Sequence, residues 1–409
     1  MFVKGEGCWL WDVENRQYLD FTSGIAVNAL GHCDPEMGRL LAQQVSPSAQ
    51  MARISLMNKA KTLIHTSNLY HNPWTGTLSK LLVEKTREAG GMSTASRVFI
   101  CNSGSEANEA ALKFARKVGK ELEPNGSKHE IVSFTNSFHG RTFGSLSATP
   151  NPKYQAPFAP MLPGFRYGKY NDVDDARLSD LITPQTCGVI VEPIQGEGGV
   201  NVATSAFLSA LRARCTAVGA VLIYDEIQSG LARTGQLWAH QLAPASTHPD
   251  ILTTAKALGN GYPIGATIVS EAVASHIATG DHGTTFGGNP LGSRLAHYIV
   301  TRLSEPELQA SVRRKSALIR SHIASLRATY PDLITADVRG AGLLLGVQLS
   351  HDPALLLTAA RERGLLLITC GVNTLRLVPP LIISEEEIET AMAILKESMR
   401  VVFGEGSTA

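Results

Sequence analysis

A chain of 409 residues, 44% apolar and 18% charged, has enough apolar content for one large folded unit and a second smaller one. Its net charge of +1 excludes the electrostatic footprint that nucleic acid or an anionic membrane surface would require, and no apolar run reaches the length of a membrane span. The ligand expected is therefore a small molecule. Six scattered cysteines without CxxC pairing read as reduced, buried thiols of an intracellular protein, and twelve histidines without HExxH or similar spacing give no expectation of a metal site. The opening residues, MFVKGEGCWLWD, carry neither a signal-peptide core nor an Arg/Ser-rich transit segment.

In chain order, residues 7–21 alternate apolar and polar on both sides of Asp12-Val13-Glu14-Asn15, the pattern of a hairpin. The glycine-punctuated TSGIAVNALGH (22–32) reads as a loop, followed by a helix from Pro35. TSNLYHNP (66–73) is a second loop, leading into an amphipathic helix over residues 77–88. From Arg97 onward strands and helices alternate. RVFIC, EIVSFT, CGVIVEP, AVLIYDE, ILTTA and ATIVS are short β-branched runs of the kind buried in a sheet covered on both faces, with helices after Ser103 and over 172–182 and 204–219. This predicts an α/β layered unit with a largely parallel central sheet. A helical region from Pro290 to about Tyr330, broken at Glu305-Pro306, precedes a tail (LLLGVQL, a helix near 354–363, LLLI, LRLV, a last helix from Ser384) that reads as a smaller α+β unit. The division expected is 1–50 as the N-terminal part of the small domain, 51–295 as the large domain and 296–409 as the C-terminal small domain.

Chemistry-bearing residues fall where these strands end, which is where open parallel sheets bind ligands. Lys256 follows the run Ile251 to Thr254, and the glycines at 259, 261 and 265 with Pro263 place it on a turn. Its neighbours Ala255, Ala257 and Leu258 give its charge little solvation, and the resulting free amine suits Schiff-base chemistry. Asn102-Ser103-Gly104-Ser105 closes one strand and opens a helix through the capping-box spacing Ser103-x-x-Glu106, which forms an anion site. Asp225 ends AVLIYDE, where a carboxylate could keep a heteroaromatic nitrogen protonated. In SFHGRT, Phe138 offers a flat face for a ring and Arg141 a fork for a carboxylate. Each has an ordinary reading alone: surface lysine, N-cap, capping aspartate, core phenylalanine, surface arginine. Jointly they make a phosphate cradle, a stacking ring, a partner for a pyridinium nitrogen and an amine for an aldehyde, the four parts that pyridoxal 5'-phosphate needs. A nucleotide has no use for the lysine, and neither GxxxxGK(S/T) nor GxGxxG opens a helix after a strand here.

The motifs NSGSEANEAALK, SFHGRT, VEPIQGEGG, YDEIQSGLARTG, TTAKALGNGYPIGA and TTFGGNP, in that order across nearly the whole chain, resemble the class III (ornithine-type) aminotransferases of the fold-type I pyridoxal-phosphate family. Within it, GIAVNALGH, TSNLYHNP and GSLSATPNPKYQAPFAP are most similar to the acetylornithine-type branch of arginine biosynthesis. The resemblance implies transfer of the δ-amino group of N2-acetyl-L-ornithine to 2-oxoglutarate. Ornithine or 4-aminobutyrate aminotransferase, and an aminomutase, are the alternatives. A non-catalytic binding protein would not need the lysine and aspartate. It also implies roles: Lys256 and Asp225 catalytic; Ser103, Gly104 and Ser105 at the phosphate; Phe138 and Ile227 on the two ring faces; Gln228 near the ring hydroxyl. Arg376 would grip the α-carboxylate of 2-oxoglutarate, with Glu197 neutralising it when the other substrate is bound, Arg141 as second carboxylate site and Ile25 beside the donor's acetyl group. Thr285 would reach the phosphate of a partner subunit, which implies a homodimer. Two departures stand out. The family usually has a further segment before the GEG hairpin, absent or truncated here, and position 105 is Ser where relatives often carry Thr. Similarity to fungal-type enzymes implies the mitochondrial matrix.

Overall fold

The computed structural model describes residues 1–45 and 63–405. Its centre is a seven-stranded sheet in the spatial order Ala95–Cys101, Gly265–Ser270, Ile251–Thr254, Val221–Asp225, Thr186–Val191, Glu130–Phe134, Phe165–Gly168. Five strands, from Ile251–Thr254 to Phe165–Gly168, run parallel, and Gly265–Ser270 is antiparallel to both its neighbours. The short β-branched runs thus form the α/β sheet expected. Alternate side chains serve opposite faces: Val189, Val191, Leu222 and Tyr224 join the core containing Phe207 and Leu211, while Ile190, Val221 and Ile223 join that of Ala111, Phe114 and Ala115. Helix Ser205–Val218 covers the first face and Gly104–Leu122 the second.

The hairpin around residues 12–15 forms from Trp9–Asp12 and Gln17–Asp20, with Phe2–Glu6 as a further strand. The helix expected over 77–88 starts earlier, at Pro73, because the Asn72 side chain accepts from the N–H groups of Trp74 and Thr75 and proline suits the first helical position. The LLLI run does not make one strand. Leu365–Leu366 pairs in parallel with Gln17–Asp20, whereas Ile368–Cys370 belongs to an antiparallel sheet with Thr374–Leu377, Leu344–Gln348 and Arg339–Ala341. The N-terminal strands therefore pack on the C-terminal tail. The boundary expected between residues 50 and 51 lies outside the described residues, and the one between 295 and 296 falls within helix Pro290–Leu303, which packs against Pro73–Glu88. Among the described residues five of the six cysteines are buried, Cys33 is exposed, all six are free thiols, and no helix is long and apolar enough to cross a membrane.

Candidate active site

The carboxyl ends of the parallel strands surround a cavity of about 310 Å³ lined by Lys256, Asp225, Phe138, Ile227, Gln228 and Glu197 together with Ser103, Gly104 and Ser105. Strand Ile251–Thr254 stops short of Lys256, which opens a single turn ending at Leu258 and has a left-handed φ of 38°. Burial pushes the Lys256 amine down to about 8, and the Arg376 guanidinium pushes the same way, against the carboxylates of Asp225, Glu192 and Glu197. A sizeable neutral, nucleophilic fraction is the consequence near neutral pH.

Asp225 sits at the end of its strand, and its two oxygens are unequally occupied. Oδ2 accepts from Asn108 Nδ2 at 2.8 Å and faces His139 Nδ1 at 2.8 Å, whereas Oδ1 accepts only from the Ile227 N–H at 3.0 Å. Asn108 is fixed in turn: it donates to the His139 carbonyl and accepts from Thr253 Oγ1. The spare acceptor capacity is thus on Oδ1. Asn108, His139 and Glu192 are site residues that sequence reasoning missed. The His139 within SFHGRT carried no signal beyond its place beside Phe138. Glu192 accepts from the N–H groups of Phe138 (2.8 Å) and Gly196 (3.1 Å), tying the loop that carries Phe138 to the one that carries Glu197. Burial pushes its carboxyl up.

At the start of helix Gly104–Leu122 the Ser103 hydroxyl accepts from the Glu106 N–H as expected. The Glu106 carboxylate, however, returns to the N–H and side chain of Asn102 rather than to Ser103, so the reciprocal half of the capping box is displaced by one residue. First-turn N–H groups such as those of Gly104 and Ser105 have no acceptor within a helix and remain for a ligand. A Cβ on Gly104 would stand 2.8 Å from the Ile227 side chain, so a larger residue there would displace Ile227.

Arg376, almost fully buried, bonds two residues of the cavity lining, Glu197 Oε2 at 3.1 Å and Gln228 Oε1 at 3.2 Å, while its Nε has no partner among the described residues. The Arg141 guanidinium lies 3.9 Å above the Tyr154 ring. Four expected residues, Ile25, Arg141, Thr285 and Arg376, are not among those that line the cavity of this chain. Ile25, with a left-handed φ of 64°, is 49% exposed, and Val27 lines the wall instead. Thr285 is exposed beside Phe286, in a loop held through its neighbour Thr284 by Asn102 and Asn68. Among the described residues there is no cluster of metal-ligating side chains.

The sequence model of the class III aminotransferases matches residues 1–399. The chain belongs to the class III aminotransferases. A mitochondrial acetylornithine aminotransferase of Neurospora crassa is 62% identical over 98% of this chain and 83% of its own length. Among solved structures, the Toxoplasma gondii ornithine aminotransferase, whose active site holds pyridoxal phosphate at partial occupancy, superposes with a TM-score of 0.85 at 32% identity, covering 98% of this chain and 90% of that one. The N-acetylornithine aminotransferase of Stenotrophomonas maltophilia gives 0.79 at 34%, covering 98% and 95%. Both likenesses carry the fold-type I architecture to this class III aminotransferase. The family implies pyridoxal phosphate, and the residues fit it: unclaimed helix-terminal N–H groups beside a wall that a Cβ would fill, a carboxylate oxygen with spare capacity, and an amine with a lowered pKa.

Proposed function

We propose that this class III aminotransferase moves the δ-amino group of N2-acetyl-L-ornithine to 2-oxoglutarate, giving N-acetyl-L-glutamate 5-semialdehyde and L-glutamate, in the mitochondrial arginine pathway. The observation that carries the reading is the Arg376–Glu197 pair, whose glutamate lines the cavity that holds Lys256. The two substrates present different groups next to their reacting carbons: the donor a neutral chain, the acceptor an α-carboxylate. A guanidinium paired with Glu197 is neutralised for the first, and released from it offers an Nε/Nη2 fork to the second.

Pyridoxal phosphate, when bound, supplies an aldehyde to receive the amino group and an electron sink for removal of the substrate's proton. The N–H groups of Gly104 and Ser105 would hold its phosphate, next to Ser103. Phe138 and Ile227 would flank the ring, Gln228 would stand near its hydroxyl, and Asp225 Oδ1 would accept the proton on its nitrogen. Lys256 would hold the group through its neutral amine and, when free of it, would be the base that takes a proton from the substrate carbon and the acid that gives it back. Arg141 would hold the donor's α-carboxylate. A homodimer belongs to this reading, with Thr285 reaching the partner's phosphate; the exposure of Thr285 and Phe286 supports it. The three-part division at residues 50 and 295 belongs to it too: strand Leu365–Leu366 of the C-terminal tail joins the N-terminal strands, although the second boundary falls within helix Pro290–Leu303.

Amino donors compared at saturating 2-oxoglutarate test the assignment. A site that accepts the uncharged acetylamino group lacks a partner for a free ammonium, so N-acetylornithine should exceed ornithine in kcat/KM by about ten- to a hundredfold. Equal efficiencies, or a preference for ornithine or 4-aminobutyrate, would reject it.

A further inference from the structure

We infer that Tyr154 is a positioning residue that couples the two carboxylate-binding arginines, its hydroxyl holding Glu197 when that carboxylate leaves Arg376 and its ring seating Arg141. The inference rests on the reading of Arg376 and Glu197 given above and extends it to a residue outside both.

The geometry is specific. Tyr154 lies on the short helix Pro152–Gln155, remote in sequence from Glu197 and Arg376. Its hydroxyl donates to Glu197 Oε1 at 3.0 Å, while the other oxygen, Oε2, meets Arg376 Nη2 at 3.1 Å. The same ring carries the Arg141 guanidinium at 3.9 Å on one face and stands edge-on to Phe138 at 5.7 Å. Burial first, then the Glu197 carboxylate, push the Tyr154 phenol up, so it remains a donor throughout the working pH range. An incoming α-carboxylate competes only for Arg376. Glu197, about a third exposed, then keeps the tyrosine hydroxyl as its partner, and the open state is not left with a carboxylate stripped of both partners. Without that hydroxyl, Arg376 is the one side chain among the described residues that holds Glu197, and the pair resists separation.

Tyr154→Phe removes the hydroxyl and keeps the ring, whereas Tyr154→Leu removes both. The half-reactions are followed separately by stopped-flow, and binding by calorimetric titration of the cofactor-loaded enzyme with glutarate, a five-carbon dicarboxylate without the keto group. In Tyr154→Phe the KM for 2-oxoglutarate and the Kd for glutarate should each rise about tenfold, with the donor half-reaction changed about twofold or less. In Tyr154→Leu the donor half-reaction should fall as well, because Arg141 loses its seat. Unchanged dicarboxylate binding in Tyr154→Phe, or equal losses in both half-reactions, would overturn the inference, as would a Tyr154→Leu donor reaction matching that of Tyr154→Phe. Arg376→Lys separates the two levels. If it weakens 2-oxoglutarate while Tyr154→Phe does not, the coupling role alone fails; if it leaves 2-oxoglutarate unaffected, the underlying reading fails with it.

Discussion

Lys256→Ala is expected to lower transamination by at least about 10⁴-fold, the upper end of what one positioned proton-transfer group contributes, since the same side chain is also the nucleophile toward the aldehyde. Binding of the cofactor should survive in part, because the first-turn N–H groups, Phe138 and Asp225 are untouched and none depends on Lys256 for its position. Borohydride reduction followed by mass measurement separates the two effects: the wild-type chain gains the cofactor covalently, and the variant binds it but gains nothing. Mixed dimers extend the experiment to Thr285. With Lys256→Ala in one subunit and Thr285→Ala in the other, a cross-subunit role leaves one site with both residues intact and about half the activity. Two damaged sites, one without Lys256 and the other without Thr285, would confine Thr285 to its own chain, and near-normal transamination by Lys256→Ala would remove the catalytic assignment altogether.

Asp225→Asn should cost about 10²–10³-fold in kcat, comparable with the loss of one preorganised electrostatic group. The substitution is nearly isosteric, but the hydrogen bonds around it are not neutral to it. If the new amide NH₂ replaces Oδ1, it faces the Ile227 N–H, and a donor points at the ring nitrogen. If it replaces Oδ2, it faces Asn108 Nδ2 and His139 Nδ1. Either orientation sets donors against donors. Steady-state kcat alongside cofactor affinity is the check: affinity should fall much less than turnover. A variant with wild-type kcat would show that the ring nitrogen does not depend on this carboxylate.

How far these features were legible in the sequence differs from residue to residue. Strands such as Thr186–Val191 and Val221–Asp225 were readable because burial on both faces forces continuous β-branched runs. Phe165–Gly168 was not, since FRYG at the sheet edge lacks that pattern. Lys256 and Asp225 announced themselves through position at strand ends, and Arg376 and Glu197 through family resemblance, after which the fold placed the latter pair 3.1 Å apart. The groups that orient Asp225 left no sequence signal: Asn108, 117 residues away, meets it through the packing of helix Gly104–Leu122 on the sheet, and His139, 86 residues away, through the loop that follows strand Glu130–Phe134. Tyr154 was hidden too, as its partners come from two separate loops, Phe138 and Arg141 in one and Glu197 in the other. Ile25, Arg141, Thr285 and Arg376, whose roles came from resemblance, are not among the residues that line the cavity of this chain.

The central claim, that one cavity serves two substrates in turn through Lys256, is tested most directly by stoichiometry in a single turnover. Cofactor-loaded enzyme mixed with excess N-acetylornithine and no 2-oxoglutarate should release one semialdehyde per site and stop, and should resume when 2-oxoglutarate is added, forming glutamate in equal amount. Continued product formation without 2-oxoglutarate, as an aminomutase would give, or no semialdehyde at all, would contradict it.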